Sequence, residues 1–267
     1  RQVVREMRAI YHDTRDLRLF RWGVTLRRRE GGNDAGWHMK LPVKGVTDGV
    51  RDELQLPLDA GDVGAVPEAL SAIVLPYVRD EPLVPIAEVR TERTPYLLYN
   101  AEGTAIAEMV DDRVAVIDDG VEVERYREIE VEALVEDAPL EDIVNVLIEA
   151  GATRSTVSKA AAALGPDAGG PPDVLEPAIV GPQDSAREAI TAFLRKYIRA
   201  FITQDVRVRR DLPDSVHQMR VAARRLRSGL KAFGPLVDEE WATHLRTESG
   251  WAAGELGAAR DTEVLLE

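Results

Sequence analysis

A segment rich in proline and glycine, residues 166–182, divides the chain into two parts that differ in the periodicity of their apolar residues. The segment reads PDAGGPPDVLEPAIVGP and holds five of the fifteen prolines, so no continuous helix or strand is expected to cross it. Before it, short runs of β-type residues alternate with turn residues, whereas after it apolar residues recur every three or four positions. The sequence therefore predicts an α+β fold, with a β-rich domain over residues 1–165, a linker over 166–182 and an all-α helical domain over 183–267.

Turn sequences in the first part favour an antiparallel arrangement of its strands. EGGNDAG (30–36), NAEG (100–103) and DDG (118–120) are typical of tight hairpin turns. The runs between turns predict strands over residues 23–29, 36–42, 51–58, 85–99, 103–110, 112–118 and 126–134. Apolar spacing and terminal glycines predict helices over residues 139–151, 155–165, 185–204 and 215–234, with at least one more from residue 239 onward.

Composition and charge exclude several classes of protein. The chain has no cysteine, no apolar run near the roughly 20 residues of a membrane span, and no secretory signal in its charged N-terminal segment, a pattern that fits a cytoplasmic protein. The net charge is −13 and uneven: from residue 182 onward 14 Lys and Arg stand against 13 Asp and Glu, whereas the preceding part has 20 against 34. Such an acidic first part argues against a duplex-DNA binder, because phosphate contacts require basic residues.

The stretch YREIEVEAL (126–134) places three carboxylates on one face of a predicted strand. Alternate residues of a strand point the same way, so Glu128, Glu130 and Glu132 share a face while Ile129 and Val131 share the other. Neighbouring carboxylates repel one another, and enclosing them is costly unless cations compensate. The face is therefore either open to water or a cation site.

Basic residues share strand faces in the same way. Arg27 and Arg29 share one strand face, and His38 and Lys40 share another. An acidic residue, Glu108, stands in the otherwise apolar run AIAEMV. An antiparallel barrel with a polar lumen would collect these faces around one cavity, where Arg and Lys hold phosphate oxygens and carboxylates hold Mg²⁺ or Mn²⁺. The alternative for each pair taken singly is a solvated strand face.

The order of motifs in the first part resembles the CYTH domain of the triphosphate tunnel metalloenzyme superfamily. The resemblance rests on residues 11–42, 50–57, 89–99, 107–114 and 127–132 and on the late pair Ser158-Lys159. It implies an eight-stranded antiparallel β-barrel whose lumen is a tunnel for a triphosphate. It also implies an activity found in that superfamily, namely inorganic triphosphatase, thiamine triphosphatase or class IV adenylate cyclase.

The resemblance also implies roles for individual residues. The implied ligands of the triphosphate are Arg27, Arg29, Lys40, Arg90 or Arg93, and Lys159. The implied ligands of one or two divalent metal ions are Glu53, Glu108, Glu128 and Glu130, with Glu132 as an alternative register. Glu128, Glu130 and Lys40 are the residues assigned to catalysis, and Mg²⁺ or Mn²⁺ is the expected cofactor.

The N-terminus departs from the pattern of the CYTH domain. The family's E-x-E-x-K strand precedes the segment that begins at Tyr11, and residues 1–10 (RQVVREMRAI) do not supply it. We expect that this strand was lost by truncation, and the helix-like end RDTEVLLE indicates truncation there as well. A barrel without that strand would be open and its metal site short of ligands, so the motifs alone do not predict activity of this chain.

A basic face and an apolar stripe run along the predicted helix 215–234. The basic face consists of His217, Arg220, Arg224, Arg227 and Lys231, and the stripe consists of Val216, Met219, Ala223, Leu226, Leu230 and Phe233. Aligned like charges repel, so an anion is expected to bind there; the alternative is an ordinary amphipathic surface helix. The segments HQMRVAARRLRS and LGAARDTEVLL (256–266) resemble a CHAD domain. That resemblance implies a helical bundle that binds inorganic polyphosphate, with Arg225 and Arg260 among its basic residues.

These features together predict metal-dependent hydrolysis of inorganic triphosphate or a related triphosphate, coupled to polyphosphate binding by the helical domain. Two alternatives stay open: class IV adenylate cyclase-type activity on the same barrel, and a non-catalytic polyphosphate-binding or targeting protein, which the missing strand favours. The sequence does not identify the triphosphate or the metal. The expected partners are inorganic triphosphate and polyphosphate, with no membrane, and a homodimer is one option for the assembly.

Overall fold

The chain folds as two compact units. The computed structural model describes residues 3–43 and 51–266, with side chains throughout these ranges except at residues 166, 167 and 258–266. One unit contains residues 1–67 and 82–170, and the other contains residues 68–81 and 171–267. The first is built on a β-sheet and the second is helical, which confirms the predicted α+β class.

The first unit is built on an antiparallel sheet that has seven strands in the described part of the chain. The strands are β1 (Arg5–Asp13), β2 (Thr25–Gly31), β3 (Gly36–Pro42), β4 (Arg51–Leu56), β5 (Val84–Tyr99), β6 (Ala105–Asp118) and β7 (Val121–Ala133). Their order across the sheet is β4-β3-β2-β1-β5-β6-β7, so β4 and β7 form its edges and the sheet is open. The antiparallel architecture is confirmed, whereas the described residues form seven strands in an open sheet and not the eight-stranded closed barrel that the resemblance implies.

Three elements differ from the sequence predictions. The strand β1 is not predicted from the sequence. Charged residues within Arg5–Arg8 hide the alternation of buried and exposed side chains, although Met7 is in fact buried. The runs predicted over 103–110 and 112–118 form one strand, β6, since Asp111 pairs with Arg127 of β7 instead of turning the chain. A helix, α2 (Glu68–Val78), lies in a stretch for which no helix is predicted, and Pro76 is accommodated inside it.

Asp13 orders the connection between β1 and β2. Its buried carboxylate accepts hydrogen bonds from the backbone N–H groups of Thr14 (2.6 Å), Leu19 (2.8 Å) and Phe20 (2.8 Å). Burial raises the pKa of Asp13, although these three hydrogen bonds oppose the rise. They hold the short helix α1 (Arg18–Arg21) and so fix where β2 begins.

Two further helices of the first unit follow the sheet in the chain, α3 (Leu140–Glu149) and α4 (Lys159–Leu164). The Ser158 hydroxyl caps α4 by accepting a hydrogen bond from the backbone N–H of Ala161 at 3.2 Å. Ala160 of α4 is buried in a cluster with residues of three central strands, namely Ala9, Tyr11, Val89 and Val114. The docked helix therefore brings Lys159, its first residue, against the sheet.

The second unit consists of α2 together with α5 (Ala186–Val208), α6 (Ser215–Ala232) and α7 (Glu239–Leu266). The predicted cap of α5 is present as a reciprocal capping box between Ser185 and Glu188. The predicted apolar stripe is buried from Val216 to Leu230, which is only 1% exposed, and its last member, Phe233, is partly buried just after α6. The Arg209 guanidinium, just after α5, donates a hydrogen bond to the carbonyl of Ala72 in α2 at 3.0 Å. In the described ranges, every helix is too short or too polar to cross a membrane.

Candidate functional site

One face of the sheet in the first unit lines a charged cavity of about 690 Å³. Side chains at alternate positions of a strand share a face, so each strand contributes residues spaced by two. The basic lining residues are Arg5, Arg27, Arg29, Lys40, Arg93 and Lys159. The acidic lining residues are Asp34, Glu53, Glu108, Glu130 and Glu132. Residues of both charges, from distant parts of the first unit's sequence, therefore line one cavity.

The basic half of the cavity has an excess of positive charge. The Nε–H groups of Arg27 and Arg29 are buried without a hydrogen-bond acceptor among the residues that the structure describes. Burial, together with the charges of Arg27 and Arg93, lowers the pKa of Arg29 to about 10. Asp34 in the β2–β3 turn forms an ion pair with Arg29. An anion bound between the two arginines would relieve this repulsion and supply acceptors for both Nε–H groups.

His38 and Lys40 of β3 hold Glu53 of β4 at the side of the basic half. The Nδ1 atom of His38 lies 2.8 Å from Oε1 of Glu53, and its Nε2 atom lies 2.8 Å from the carbonyl oxygen of Asp34. Burial lowers the pKa of His38, an effect that its hydrogen bond to Glu53 opposes. Lys40 Nζ lies 3.7 Å from Oε2 of Glu53. Burial alone would raise the pKa of Glu53, but the hydrogen bond from His38 and the charge of Lys40 lower it.

The acidic half of the cavity is built on a row of three charged residues across β5, β6 and β7. Arg93 pairs in register with Asp112, and Asp112 pairs in register with Glu128. Two of the guanidinium N–H groups of Arg93 bind Asp112, at 2.8 and 2.7 Å, and Nη2 also lies 2.9 Å from Oε2 of Glu130. Asp112 is absent from the residues predicted from the sequence. The sequence feature that could have indicated Asp112 is its position four residues after Glu108, because residues four apart lie on the same face of one strand.

The Lys159 ammonium lies among the carboxylates of this half. Its Nζ atom is 2.5 Å from Oε1 of Glu130, 2.6 Å from Oε2 of Glu128 and 3.0 Å from Oδ2 of Asp112. Burial alone would lower the pKa of Lys159, but the negative charges of Glu130, Glu128 and Asp112 outweigh burial and raise it. The amine is therefore held in its charged form.

The same carboxylates have the chemistry of a divalent metal site. Asp112, Glu128 and Glu130 each offer one oxygen, and these oxygens lie within 4.8 Å of one another. Mg²⁺ takes oxygen ligands at about 2.0–2.1 Å, so opposite ligands of one ion are roughly 4.2 Å apart. A small closing movement of the three side chains would therefore suffice for them to hold a divalent ion.

The structure brings together most of the residues predicted for this site. The predicted residues that line the cavity are Arg27, Arg29, Lys40, Glu53, Arg93, Glu108, Glu130, Glu132 and Lys159. Glu128 is next to the cavity, because its carboxylate contacts the lining residue Lys159. Arg90 is not brought there. It lies three residues before Arg93 and so points to the opposite face, where it pairs with Glu88 at 2.8 Å and its side chain is 57% exposed. Glu53 faces the cavity but lies outside the cluster of three carboxylates.

A second charged space, in the helical unit, lies between α6 and α7. It has a volume of about 600 Å³ and is lined by Arg224, Arg227, Ser228, Lys231, Thr243, Arg246, Thr247 and Gly250. We call it the basic groove; four of these residues are basic and none is acidic. Gly250 lies beside Arg227, since a Cβ atom at Gly250 would be 3.5 Å from Nε of Arg227, an ordinary van der Waals distance. The groove thus contains three of the residues predicted to bind polyphosphate and adds Arg246.

The remaining residues predicted for polyphosphate lie outside the basic groove or outside the described side chains. His217 and Arg225 are exposed on α6, and Arg220 is partly buried there. Arg220 lies toward α7, because a Cβ atom at Gly257 would be 3.9 Å from its guanidinium. The side chain of Arg260 lies outside the described residues.

Comparison with known proteins shows two matching families. A model of the CYTH domain matches residues 1–162, and a model of the CHAD domain matches residues 192–267. Two proteins of Mycobacterium tuberculosis are similar to 97% of the chain: uncharacterized protein MT2285 of strain CDC 1551 / Oshkosh, at 37% identity, and uncharacterized protein Rv2226 of strain ATCC 25618 / H37Rv, at 36% identity. The chain spans about half (52%) of the length of each.

Two solved structures share a more distant likeness with the chain. A candidate adenylate cyclase of Bacillus halodurans is 20% identical over 58% of this chain and 80% of its own, with a TM-score of 0.39. A candidate adenylyl cyclase of Hippeastrum, described as having a dominant triphosphatase activity, is 19% identical over 60% of this chain and 82% of its own, with a TM-score of 0.40. Because both TM-scores are below 0.5, these likenesses add nothing to the assignment of fold or reaction.

Proposed function

Because the chain belongs to the CYTH family and carries a CHAD domain after it, we propose that its first unit hydrolyses inorganic triphosphate or a related triphosphate with the help of Mg²⁺ or Mn²⁺. The observation that carries the proposal is the cavity in which basic and acidic side chains of seven strands and α4 line one space. Phosphoryl transfer needs positioning and charge neutralisation from the protein more than covalent chemistry. This cavity offers both.

The basic half of the cavity would hold the phosphate chain. Arg27 and Arg29 present adjacent guanidinium groups, whose planar forks match phosphate oxygens. Their buried Nε–H groups supply donors with no acceptor in the described part of the chain. Lys40 would contribute a point charge from β3, and Arg93 would contribute one from β5 beside the acidic half.

The acidic half would hold the divalent ion. Asp112, Glu128 and Glu130 are the ligands that the geometry favours, with Glu108 and Glu132 farther along the same strands. When bound, such an ion neutralises charge on the phosphate oxygens and polarises the phosphoryl group. Arg93 joins the two halves, since it binds Asp112 and Glu130 while facing the basic side. We expect water to be the nucleophile in this reaction.

The helical unit would bind inorganic polyphosphate in the basic groove. Arg224, Arg227, Lys231 and Arg246 lie together without an acidic lining residue, and the hydroxyl groups of Ser228 and Thr243 add hydrogen-bond donors. A polyanion would relieve the repulsion between these cations, and its affinity should fall with ionic strength. This binding would raise the local concentration of phosphoanhydride near the protein.

The deciding experiment is phosphate release from tripolyphosphate with Mg²⁺ or Mn²⁺. The chain would be compared with its Glu128→Gln/Glu130→Gln variant and with Arg127→Gln, a control on the exposed opposite face of β7. Metal-dependent release that is lost in the double glutamine variant and kept in the control supports the proposal. Thiamine triphosphate and ATP, tested in parallel with analysis for cyclic product, distinguish the substrate classes.

A non-catalytic binding protein is the second candidate, and one observation favours it. Lys159 already pairs with the carboxylates that a catalytic metal would need. If the folded chain binds tripolyphosphate but releases no phosphate with either metal, this second function replaces the first.

Location and assembly stay predictions from the sequence. The cysteine-free composition favours the cytoplasm, and a homodimer is the simplest assembly to test. Light scattering of the purified chain at several concentrations would measure its molar mass and so show whether it is a homodimer.

A further inference from the structure

Lys159 occupies the position that a metal ion would need in the proposed site. Its ammonium nitrogen lies 2.5–3.0 Å from one oxygen of each of three carboxylates, those of Glu130, Glu128 and Asp112. An Mg²⁺ ion among the same oxygens would lie about 2 Å from each of them. The nitrogen and the ion would then be closer together than their sizes permit. The Lys159 ammonium and a metal ion therefore cannot occupy this site at the same time.

Charge balance in the cluster also favours exchange of one cation for the other. With Lys159 in place, the three carboxylates exceed Lys159 and Arg93 by one negative charge. A divalent ion in place of the ammonium makes the cluster neutral, whereas an ion added beside the ammonium would leave it positive. Because the cluster is largely buried, an excess charge of either sign is costly there.

The position of Lys159 in the chain allows its side chain to leave the carboxylates. Lys159 is the first residue of α4, after an irregular segment over residues 152–158, so only its C-terminal side is held by helix packing. Its side chain is a flexible four-carbon stem with a terminal charge. The residue also lines the cavity that contains Arg27 and Arg29. An ammonium released from the carboxylates therefore faces the space proposed for the triphosphate.

We propose that Lys159 is an internal counter-ion of the metal site, which a divalent ion displaces and which then turns toward the phosphate chain. The inference rests on the proposed function, because it takes the three carboxylates as the metal ligands. In this arrangement one residue offsets part of the negative charge of the site before the metal binds and contributes to anion binding afterwards. Metal binding by the free protein is accordingly weakened by the presence of Lys159.

The test is the affinity of the complete chain for Mn²⁺ without any phosphate, measured by electron paramagnetic resonance of the free ion. Replacing Lys159 by Gln removes the competing charge, so Lys159→Gln should bind Mn²⁺ at least about tenfold more tightly than the unmodified chain. Arg127→Gln is the control, because Arg127 is a cation of the same strand as Glu128 and Glu130 that pairs with Asp111 on the opposite face of β7. It should change the affinity by less than about threefold, since its effect is screened by solvent.

A second measurement keeps the test decisive if Lys159→Gln does not fold. Reductive methylation of the unmodified chain, read by mass spectrometry, reports how accessible each lysine amine is. Saturating Mg²⁺ should increase methylation of Lys159 severalfold and leave Lys231, in the other unit, unchanged.

The outcomes separate this inference from the function on which it rests. If the unmodified chain binds Mn²⁺ and Lys159→Gln binds it no more tightly, or if Mg²⁺ does not increase methylation of Lys159, the counter-ion role is overturned while the metal site stands. If neither the chain nor any variant binds Mn²⁺, the metal site itself is overturned, and with it the proposed reaction.

Discussion

Arg93 and Asp112 face each other across β5 and β6 and form a two-point ion pair, with distances of 2.8 Å from Nε to Oδ1 and 2.7 Å from Nη2 to Oδ2. Asp112 is completely buried, and Lys159 is its second cationic partner. Burial alone would raise the pKa of Asp112, but the hydrogen bond from Arg93 and the charge of Lys159 lower it. The pair connects the basic half of the cavity to the acidic half.

The first prediction concerns this pair. Asp112 accepts two hydrogen bonds from Arg93, and in Asp112→Asn the amide oxygen can accept only one of them, which leaves a buried charged donor unpaired, so the free energy of unfolding should fall by about 1–3 kcal/mol. Urea denaturation at pH 7 measures the change. Asp111→Asn is the matched control, because its partner Arg127 is exposed on the opposite face, and its urea midpoint should hardly move. Equal effects of the two substitutions would contradict the structural role of Asp112.

The second prediction is a dependence of stability on pH that is due to His12. Burial lowers the pKa of His12 to about 4, from an ordinary value of 6.5. Between these values the unfolded chain binds the proton and the folded chain does not, so the His12 contribution to stability falls as the pH decreases from about 6.5 to 4. From pH 7 to pH 4.5 the free energy of unfolding should fall by about 2–3 kcal/mol on this account.

His12→Phe isolates this contribution, since it keeps an aromatic ring beside Trp37, whose centroid lies 5.1 Å away. Urea denaturation at several pH values should show a weaker decrease toward pH 4.5 in His12→Phe than in the unmodified chain. His244→Gln, at an exposed position of α7, should keep the original decrease. Parallel curves for the unmodified chain and His12→Phe would show that His12 does not titrate in this range.

The third prediction is that replacing Arg29 makes the folded chain more stable but weakens its action on tripolyphosphate. Its lowered pKa reflects burial and the repulsion from Arg27 and Arg93, so Arg29→Gln should raise the free energy of unfolding by about 1 kcal/mol. The same substitution removes a charged donor to phosphate, and kcat/KM for tripolyphosphate should fall at least about tenfold. Arg127→Gln should change neither quantity appreciably. A loss of stability together with activity in Arg29→Gln would indicate a structural role instead.

The fourth prediction tests the basic groove of the helical unit. Arg227→Gln/Arg246→Gln should weaken binding of long-chain polyphosphate by roughly tenfold or more and reduce its dependence on salt, because two charges are lost. Fluorescence anisotropy of a labelled polyphosphate at several salt concentrations measures both effects. Arg187→Gln/Lys196→Gln, at two exposed positions of α5, is the control that removes the same two charges. An equal loss in that control would indicate a response to overall charge and not to the groove.

The sequence predicted well those parts of the site that depend on local periodicity. Arg27 with Arg29, and Glu128 with Glu130 and Glu132, share faces simply because alternate residues of a strand do so. The basic and apolar faces of α6 follow in the same way from the helical period. In both cases the spacing of neighbouring residues is sufficient to place them.

The sequence predicted less well what depends on pairing between distant segments. In the pair Asp111-Asp112, alternation from Glu108 selects Asp112 only if β6 is one continuous strand, and it is the pairing of both residues with β5 and β7 that makes the strand continuous. The contact of His38 with Glu53 likewise joins two strands across 15 residues. Arg90 and Arg93 were alternatives until the position of β5 in the sheet decided which of them faces the cavity. Such contacts follow from register, and register is set by the whole sheet.

The helix α2 has a consequence for how the protein can be divided experimentally. It lies between β4 and β5 in the chain, yet it belongs to the same compact unit as α5, α6 and α7. Proteolysis within residues 171–182 would therefore leave a fragment that keeps α2, with its buried Val74 and Tyr77, but has lost α5, α6 and α7 of the same unit. No single cut separates the two units, and a fragment ending there should expose apolar helix surface and aggregate. Each unit is thus best studied by point substitution within the intact chain.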